Sequence, residues 1–152
     1  MDKFLKIDSH QHFWEIDRFD YSWMDKDSPL RKNFLPRDLH KIIEENDVDK
    51  TIIVQAVPSI EETFWLLEIA EQYDFIAGVV GWVDLTDKKI ELSLDKLQKN
   101  QYLKGIRHLW ETDNDPEWII NSGGVRGLEV IAERNLTFDF LARPRNLIFI
   151  PK

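Results

Sequence analysis

His10 and His12 stand one residue apart in FLKIDSHQHFW (residues 4–14), where an apolar stretch gives way to two imidazoles and then two aromatics. Alternate side chains of an extended chain share a face, so the two imidazoles point one way and Gln11 the other. Two imidazole nitrogens on one face can hold a single metal ion, and a divalent metal such as zinc accepts them. Asp8 lies on the same face two residues earlier, where a carboxylate can orient a histidine from outside the ligand set. The chain has no cysteine, so only His and carboxylate are left to hold a metal. An H-x-H pair alone is weak evidence, but this one follows the first apolar stretch. The carboxyl ends of strands are where α/β folds carry their chemistry.

Other residues fall at comparable places. Gln55 is a polar residue near the end of the β-branched run TIIVQAV; it faces the site or bonds a neighbouring strand end. Trp82 and Asp84 share a face at the end of IAGVVGWVD; Trp82 can wall a pocket, and Asp84 is either a site carboxylate or, as the favoured expectation, the cap of the next helix. Arg107 and His108 end the run LKGIRH and point to opposite faces, so one of them points inward or upward. A guanidinium there can hold a carboxylate or oxyanion through two parallel bonds, or it can pair with Glu111 or Asp113. Asp139 alternates with Phe138 and Phe140; it contacts substrate or is a hydrogen-bonded strand residue.

Strands and helices must alternate to place these groups. Phe4, Leu5 and Ile7 read as the first short strand. Residues 15–34 keep no period and read as a long loop over the top of the fold, a length at which loops are often functional. Within and beside it, Trp14, Tyr21, Trp23 and Met24 either roof a binding site or pack the loop down. Pro36 opens a helix whose stripe is Leu35, Leu39, Ile42 and Ile43 and which ends near Asn46, with His40 beside the stripe at the surface. Residues 51–57 form a second strand, and Ser59 opens a helix to Tyr73 with Glu62 completing a capping box. A third strand lies within 75–84 and a helix carries Ile90, Leu94 and Leu97. Residues 103–109 form a fourth strand. Gly123 and Gly124 read as a break before a helix carrying Val125, Leu128, Ile131 and Ala132. Residues 136–142 form a fifth strand, and Arg143-Pro144 begins another helix. This alternation predicts an α/β fold with about five parallel β/α units in one domain over residues 1–152.

With 152 residues, 43% hydrophobic and 32% charged, the chain can bury a core of ordinary globular kind. Most of its six Trp and nine Phe are expected in that core. A net charge of −8 without a basic patch argues against a nucleic-acid partner. No apolar run of membrane-spanning length and no signal-peptide pattern is present, which makes the cytoplasm the default location and a membrane partner unexpected.

Ile7-Asp8-Ser9-His10-Gln11-His12-Phe13-Trp14 resembles the opening of the amidohydrolase-2 family, and within it the TIM-barrel metal-dependent hydrolases that include sugar lactonases. Gly81-Trp82-Val83-Asp84-Leu85, Gly105-Ile106-Arg107-His108-Leu109 and Phe138-Asp139-Phe140-Leu141 are similar to that group's internal motifs, in the same order. The resemblance implies an incomplete (β/α)8 barrel, since a whole one typically needs ~250 residues. It also implies metal-assisted hydrolysis of a small lactone, ester or amide, with a sugar lactone favoured. In that reading His10 and His12 bind a divalent metal such as zinc. Arg107 or His108 polarises the carbonyl or holds a substrate oxygen, and Trp14, Gln55, Trp82 and Asp139 line the substrate.

The group's later Asp-His-x-Gly-Lys and Ser-Asp-Trp-Pro motifs do not occur in these 152 residues. The late Asp is the general base that the resemblance implies. Two expectations follow. In one, the chain is the N-terminal part of a longer lactonase-like hydrolase, inactive by itself. In the other it is a non-catalytic half-barrel that self-associates through its open sheet edges or binds a complementary chain.

Overall fold

The computed structural model describes residues 4–110 and 115–150. The chain runs β1 (Ile7–Gln11), α1 (Pro36–Glu45), β2 (Lys50–Val54), α2 (Ile60–Gln72), β3 (Ile76–Gly81), α3 (Ile90–Leu97), β4 (Leu103–His108), a 3-10 turn (Trp118–Ile120), α4 (Ser122–Glu133), β5 (Thr137–Phe140) and α5 (Pro144–Leu147). The five strands lie in the order β1-β2-β3-β4-β5 and every adjacent pair is parallel. Sequential neighbours joined by helical crossovers make a barrel wall and not a doubly wound sheet. The expected incomplete α/β barrel is therefore what forms. β1 and β5 are each paired on one side only among the described residues.

The core lies between sheet and helices. Ile53, Leu66, Val79, Leu94, Leu97 and Ile106 are fully buried within it. A second apolar cluster, Trp14, Tyr21, Met24, Ala56 and Val57, forms where the long loop folds over the end of β2. The loop is closed at its base by Trp14 and Phe34, whose main chains exchange two hydrogen bonds of 3.0 Å. Of the four roof candidates Trp14, Tyr21 and Met24 are buried, whereas Trp23 is 51% exposed. The loop is thus packed down onto the strand end.

Local differences from the sequence reading have physical causes. β1 begins at Ile7, and Phe4 and Leu5 stay outside the sheet, because its partner begins only at Lys50. The chain reaches Lys50 through a left-handed Asp47 (φ 53°) just after α1. Strand pairing therefore shifts toward the histidines. Asp84 caps a turn and not α3: its Oδ1 accepts from the Thr86 amide (2.9 Å) and hydroxyl (2.7 Å), and the helix starts at Ile90. Gly123 and Gly124 lie inside α4, not at a break before it. A Cβ on Gly124 would strike the Trp118 carbonyl and one on Gly127 the Leu85 carbonyl, so these glycines seat the helix directly on backbone.

Candidate functional site

His10 and His12 sit at the carboxyl end of β1 with their Nε2 atoms 3.1 Å apart and their rings edge to face. The Nδ1 of His12 lies 2.7 Å from the Val54 carbonyl oxygen at the end of β2. A carbonyl only accepts, so Nδ1 carries the proton and Nε2 of His12 presents its lone pair. Burial, opposed by the bond to Val54 and assisted by the Arg107 and His10 charges, lowers the His12 pKa to about 4. The ring is therefore neutral near pH 7, the state a metal needs.

The donor set fits a divalent metal in part. Zn–N bonds of ~2.0–2.1 Å in a tetrahedral site put two nitrogens roughly 3.3 Å apart, close to the 3.1 Å separation of the two Nε2 atoms. Asp8 holds the main chain at His10 and not an imidazole: its Oδ1 accepts from the His10 amide at 3.1 Å. Among the described residues no group of three or more His, Cys, Asp or Glu converges on one point. Among the described residues, the donors brought together are the two imidazoles.

Arg107 enters from β4. It is 6% exposed, and its Nη2 donates to the Gln55 carbonyl and, at 3.2 Å, to Gln55 Oε1. Gln55 is wholly buried and returns a bond from Nε2 to the Arg107 carbonyl at 3.4 Å. The expected alternative partners Glu111 and Asp113 lie outside the described residues. His12 and Arg107 are thus held by consecutive carbonyls, Val54 and Gln55, at one strand end. Asp139 pairs in register with Arg107 across β4 and β5, which puts both on one face of the sheet. His108 alternates to the other face, where its ring stacks on Trp118 at 4.0 Å and 1°.

The two tryptophans differ. Trp14 is buried, and its indole N–H is shared between the Leu30 (3.1 Å) and Lys32 (2.8 Å) carbonyls, which ties the loop together. Trp82 follows β3 and its main chain is clasped by Thr63: the Trp82 amide donates to Thr63 Oγ1 (2.8 Å), which donates to the Trp82 carbonyl (3.1 Å). The Trp82 indole N–H is buried and has no partner among the described residues.

The spacing from Ser59 predicts only a capping role for Glu62. The Ser59 half of that cap forms, with its Oγ accepting from the Glu62 amide at 3.1 Å. The carboxyl half does not turn back to Ser59; Glu62 Oε2 accepts from the Ala56 (3.0 Å) and Val57 (3.1 Å) amides. Glu62 is wholly buried. Burial raises its pKa to about 7, against the pull of the two amides and of Arg107. Tyr21, buried under the loop, has its pKa raised by burial and by the Glu62 charge. The signal was present in the sequence: Glu62, Leu66 and Ile69 fall at i, i+4 and i+7, so a carboxylate sits on the apolar stripe of α2.

A family model described as Amidohydrolase matches residues 7–150. The chain is 32% identical over 144 residues to an L-fucono-1,5-lactonase of Burkholderia ambifaria, covering 94% of this chain and 50% of that protein. It is also 32% identical over 145 residues to an L-fucono-1,5-lactonase of Burkholderia multivorans, covering 94% and 49%. A crystal structure of an amidohydrolase from Burkholderia multivorans with bound zinc superposes with a TM-score of 0.90 at 31% identity, over 95% of this chain and 51% of that one. The chain spans about half the length of the curated relatives it matches.

Proposed function

The chain belongs to the amidohydrolase family, and from that premise we propose that residues 1–152 form the N-terminal portion of a barrel hydrolase acting on a small lactone, with a sugar lactone as the favoured substrate. The observation that carries this reading is the convergence of the His10 and His12 Nε2 atoms at 3.1 Å. The relatives named as L-fucono-1,5-lactonases support the substrate class. A divalent metal, zinc for instance, would be held by His10 and His12 and would polarise a carbonyl or acidify a bound water.

The remaining work falls to side chains of this chain. Gln55 holds the guanidinium of Arg107 at the strand end. From there Arg107 stabilises the negative charge that grows on a lactone oxygen during attack. Asp139, in register with Arg107, and the indole N–H of Trp82 contact the sugar hydroxyls. His108, stacked on Trp118, braces the β4 end and reaches substrate only from the opposite face. The cytoplasm is the proposed compartment.

A second reading is favoured by the two sheet edges. β1 and β5 end the sheet, and Ile7 is 48% and Phe140 46% exposed. On this reading the half-barrel is non-catalytic and self-associates or binds a complementary chain through those edges.

The deciding assay is hydrolysis of L-fucono-1,5-lactone by the chain, alone and joined to the completing half of a related lactonase, with and without zinc. Turnover that falls at least roughly 100-fold on His12→Ala supports the assignment. Turnover unchanged by that substitution removes it. Sedimentation of the chain as a monomer at all concentrations would remove self-association.

A further inference from the structure

We propose that the first turn of α2 is the clamp that sets the candidate site, with Glu62 and Thr63 as its positioning residues. Glu62 fixes the end of β2 from which Val54 and Gln55 hold His12 and Arg107. Thr63 fixes the end of β3 that carries Trp82.

Glu62 is wholly buried. A wholly buried carboxyl is a poor packing residue: its desolvation is unfavourable, and Leu or Met would fill the space better. Here its second oxygen is also buried without a partner among the described residues. What it supplies that no apolar side chain can is an acceptor for two successive amides, Ala56 and Val57, at 3.0 and 3.1 Å. These amides lie beyond the last paired residue of β2, so the sheet ladder does not fix them. The residues immediately before them are Val54, whose carbonyl takes His12, and Gln55, whose carbonyl and side chain take Arg107. A one-residue slip of this strand end would remove both anchors together.

Thr63, next in the chain, is also wholly buried and does the same for β3. Its hydroxyl accepts the Trp82 amide at 2.8 Å and donates toward the Trp82 carbonyl at 3.1 Å and the Ser59 carbonyl at 3.2 Å. Gly81 leaves the room for this: a Cβ there would run into the Thr63 side chain. Ser59 caps the same turn through the Glu62 amide. One helical turn therefore grips two adjacent strand ends, one with a carboxyl group and one with a hydroxyl. The catalytic significance rests on the reading of Arg107 and His12 above, but the geometry does not.

Amide hydrogen exchange and side-chain NMR of the whole chain test it without any turnover assay. In the wild type, the Ala56 and Val57 amides are expected to be as protected as those of Ile53 and Val54. Exchange at the rate of an open loop would overturn the proposal. Glu62→Met, which keeps volume and removes the acceptor, is expected to speed exchange at Ala56 and Val57 by roughly 10-fold or more and to shift the Arg107 guanidinium and His12 ring signals. Glu62→Gln, which keeps an acceptor, is expected to restore them. Thr63→Val is expected to move the Trp82 signals and leave Arg107 in place, with Thr63→Ser restoring Trp82. Arg107 and His12 signals unmoved in Glu62→Met, or Trp82 unmoved in Thr63→Val, would show that the turn packs without positioning. Lactonase activity absent even when the chain is joined to the completing half of a related lactonase, with these shifts present, would sink the functional reading and leave the clamp standing.

Discussion

The Nδ1 atom of His12 lies 2.7 Å from the carbonyl oxygen of Val54. This contact settles which ring nitrogen is free, and it joins the first strand to the second at the level where the chemistry is expected. It also fixes the orientation and tautomer of the His12 ring, because an outer acceptor on the far nitrogen holds an imidazole in place as a donor.

Zinc titration of the chain by calorimetry should therefore depend on His12 more than on Asp8. His12→Gln is expected to weaken zinc binding by at least roughly 10-fold, and Asp8→Asn by less, since Asp8 acts only on the His10 amide. Equal losses in both variants would contradict this division of roles.

Stability against pH should show two opposed slopes. His12 has its pKa lowered from 6.5 to about 4 by burial, so the stability of its neutral form is present above 6.5 and is lost as pH falls toward 4. Glu62 has its pKa raised from 4.5 to about 7, so stability is full below 4.5 and is lost as pH rises toward 7. Each shift corresponds to up to about 3 kcal/mol. Between pH 4.5 and 6.5 the two nearly cancel. Glu62→Gln removes one, so urea midpoints of that variant should fall on acidification across this window more steeply than those of the wild type. Parallel profiles would mean that Glu62 is ionised throughout.

Much of this arrangement was legible in the residues. The β-branched run at 51–54 and the His10–His12 spacing report period directly, and the second strand and the shared face of the two imidazoles followed from them. The tertiary partners of Glu62 and Gly124 were not. A capping-box spacing says that a glutamate can turn back on its own helix, but not that the amides of Ala56 and Val57 will compete for it and win. A Gly-Gly pair reads as a break until the Trp118 carbonyl is known to lie against it. His108 likewise could be read only as an alternate to Arg107, because its stacking partner Trp118 lies ten residues further along the chain.

Gln55 holds the buried Arg107 with its side-chain oxygen as well as its carbonyl. Gln55→Leu would keep the carbonyl and remove the other acceptor. The expected loss is about 1–3 kcal/mol in urea unfolding, the usual range for a buried donor left without its partner. Arg107→Met alone should also destabilise, but the double variant should lose less than the sum, because each change removes the same bond. Additive losses would show that the two side chains act independently.

The close seat of α4 supplies the last test. In an exposed helix Gly→Ala stabilises by roughly 1 kcal/mol, because alanine restricts the unfolded chain and favours the helix. Gly124 lies within α4, yet a Cβ there meets the Trp118 carbonyl and the Ile119 backbone, neither of which can move as a flexible side chain would. Steric overlap should win over propensity, so Gly124→Ala is expected to destabilise by about 1–3 kcal/mol. Gly123 meets only Thr86, at 3.5 Å and beyond, which is ordinary contact. Gly123→Ala should therefore be neutral or stabilising. The sign difference between neighbours isolates contact from propensity. If both alanines stabilised the chain in urea, the helix would not be seated on the 3-10 turn. The stacking of Trp118 on His108, which depends on that seat, would then need another support.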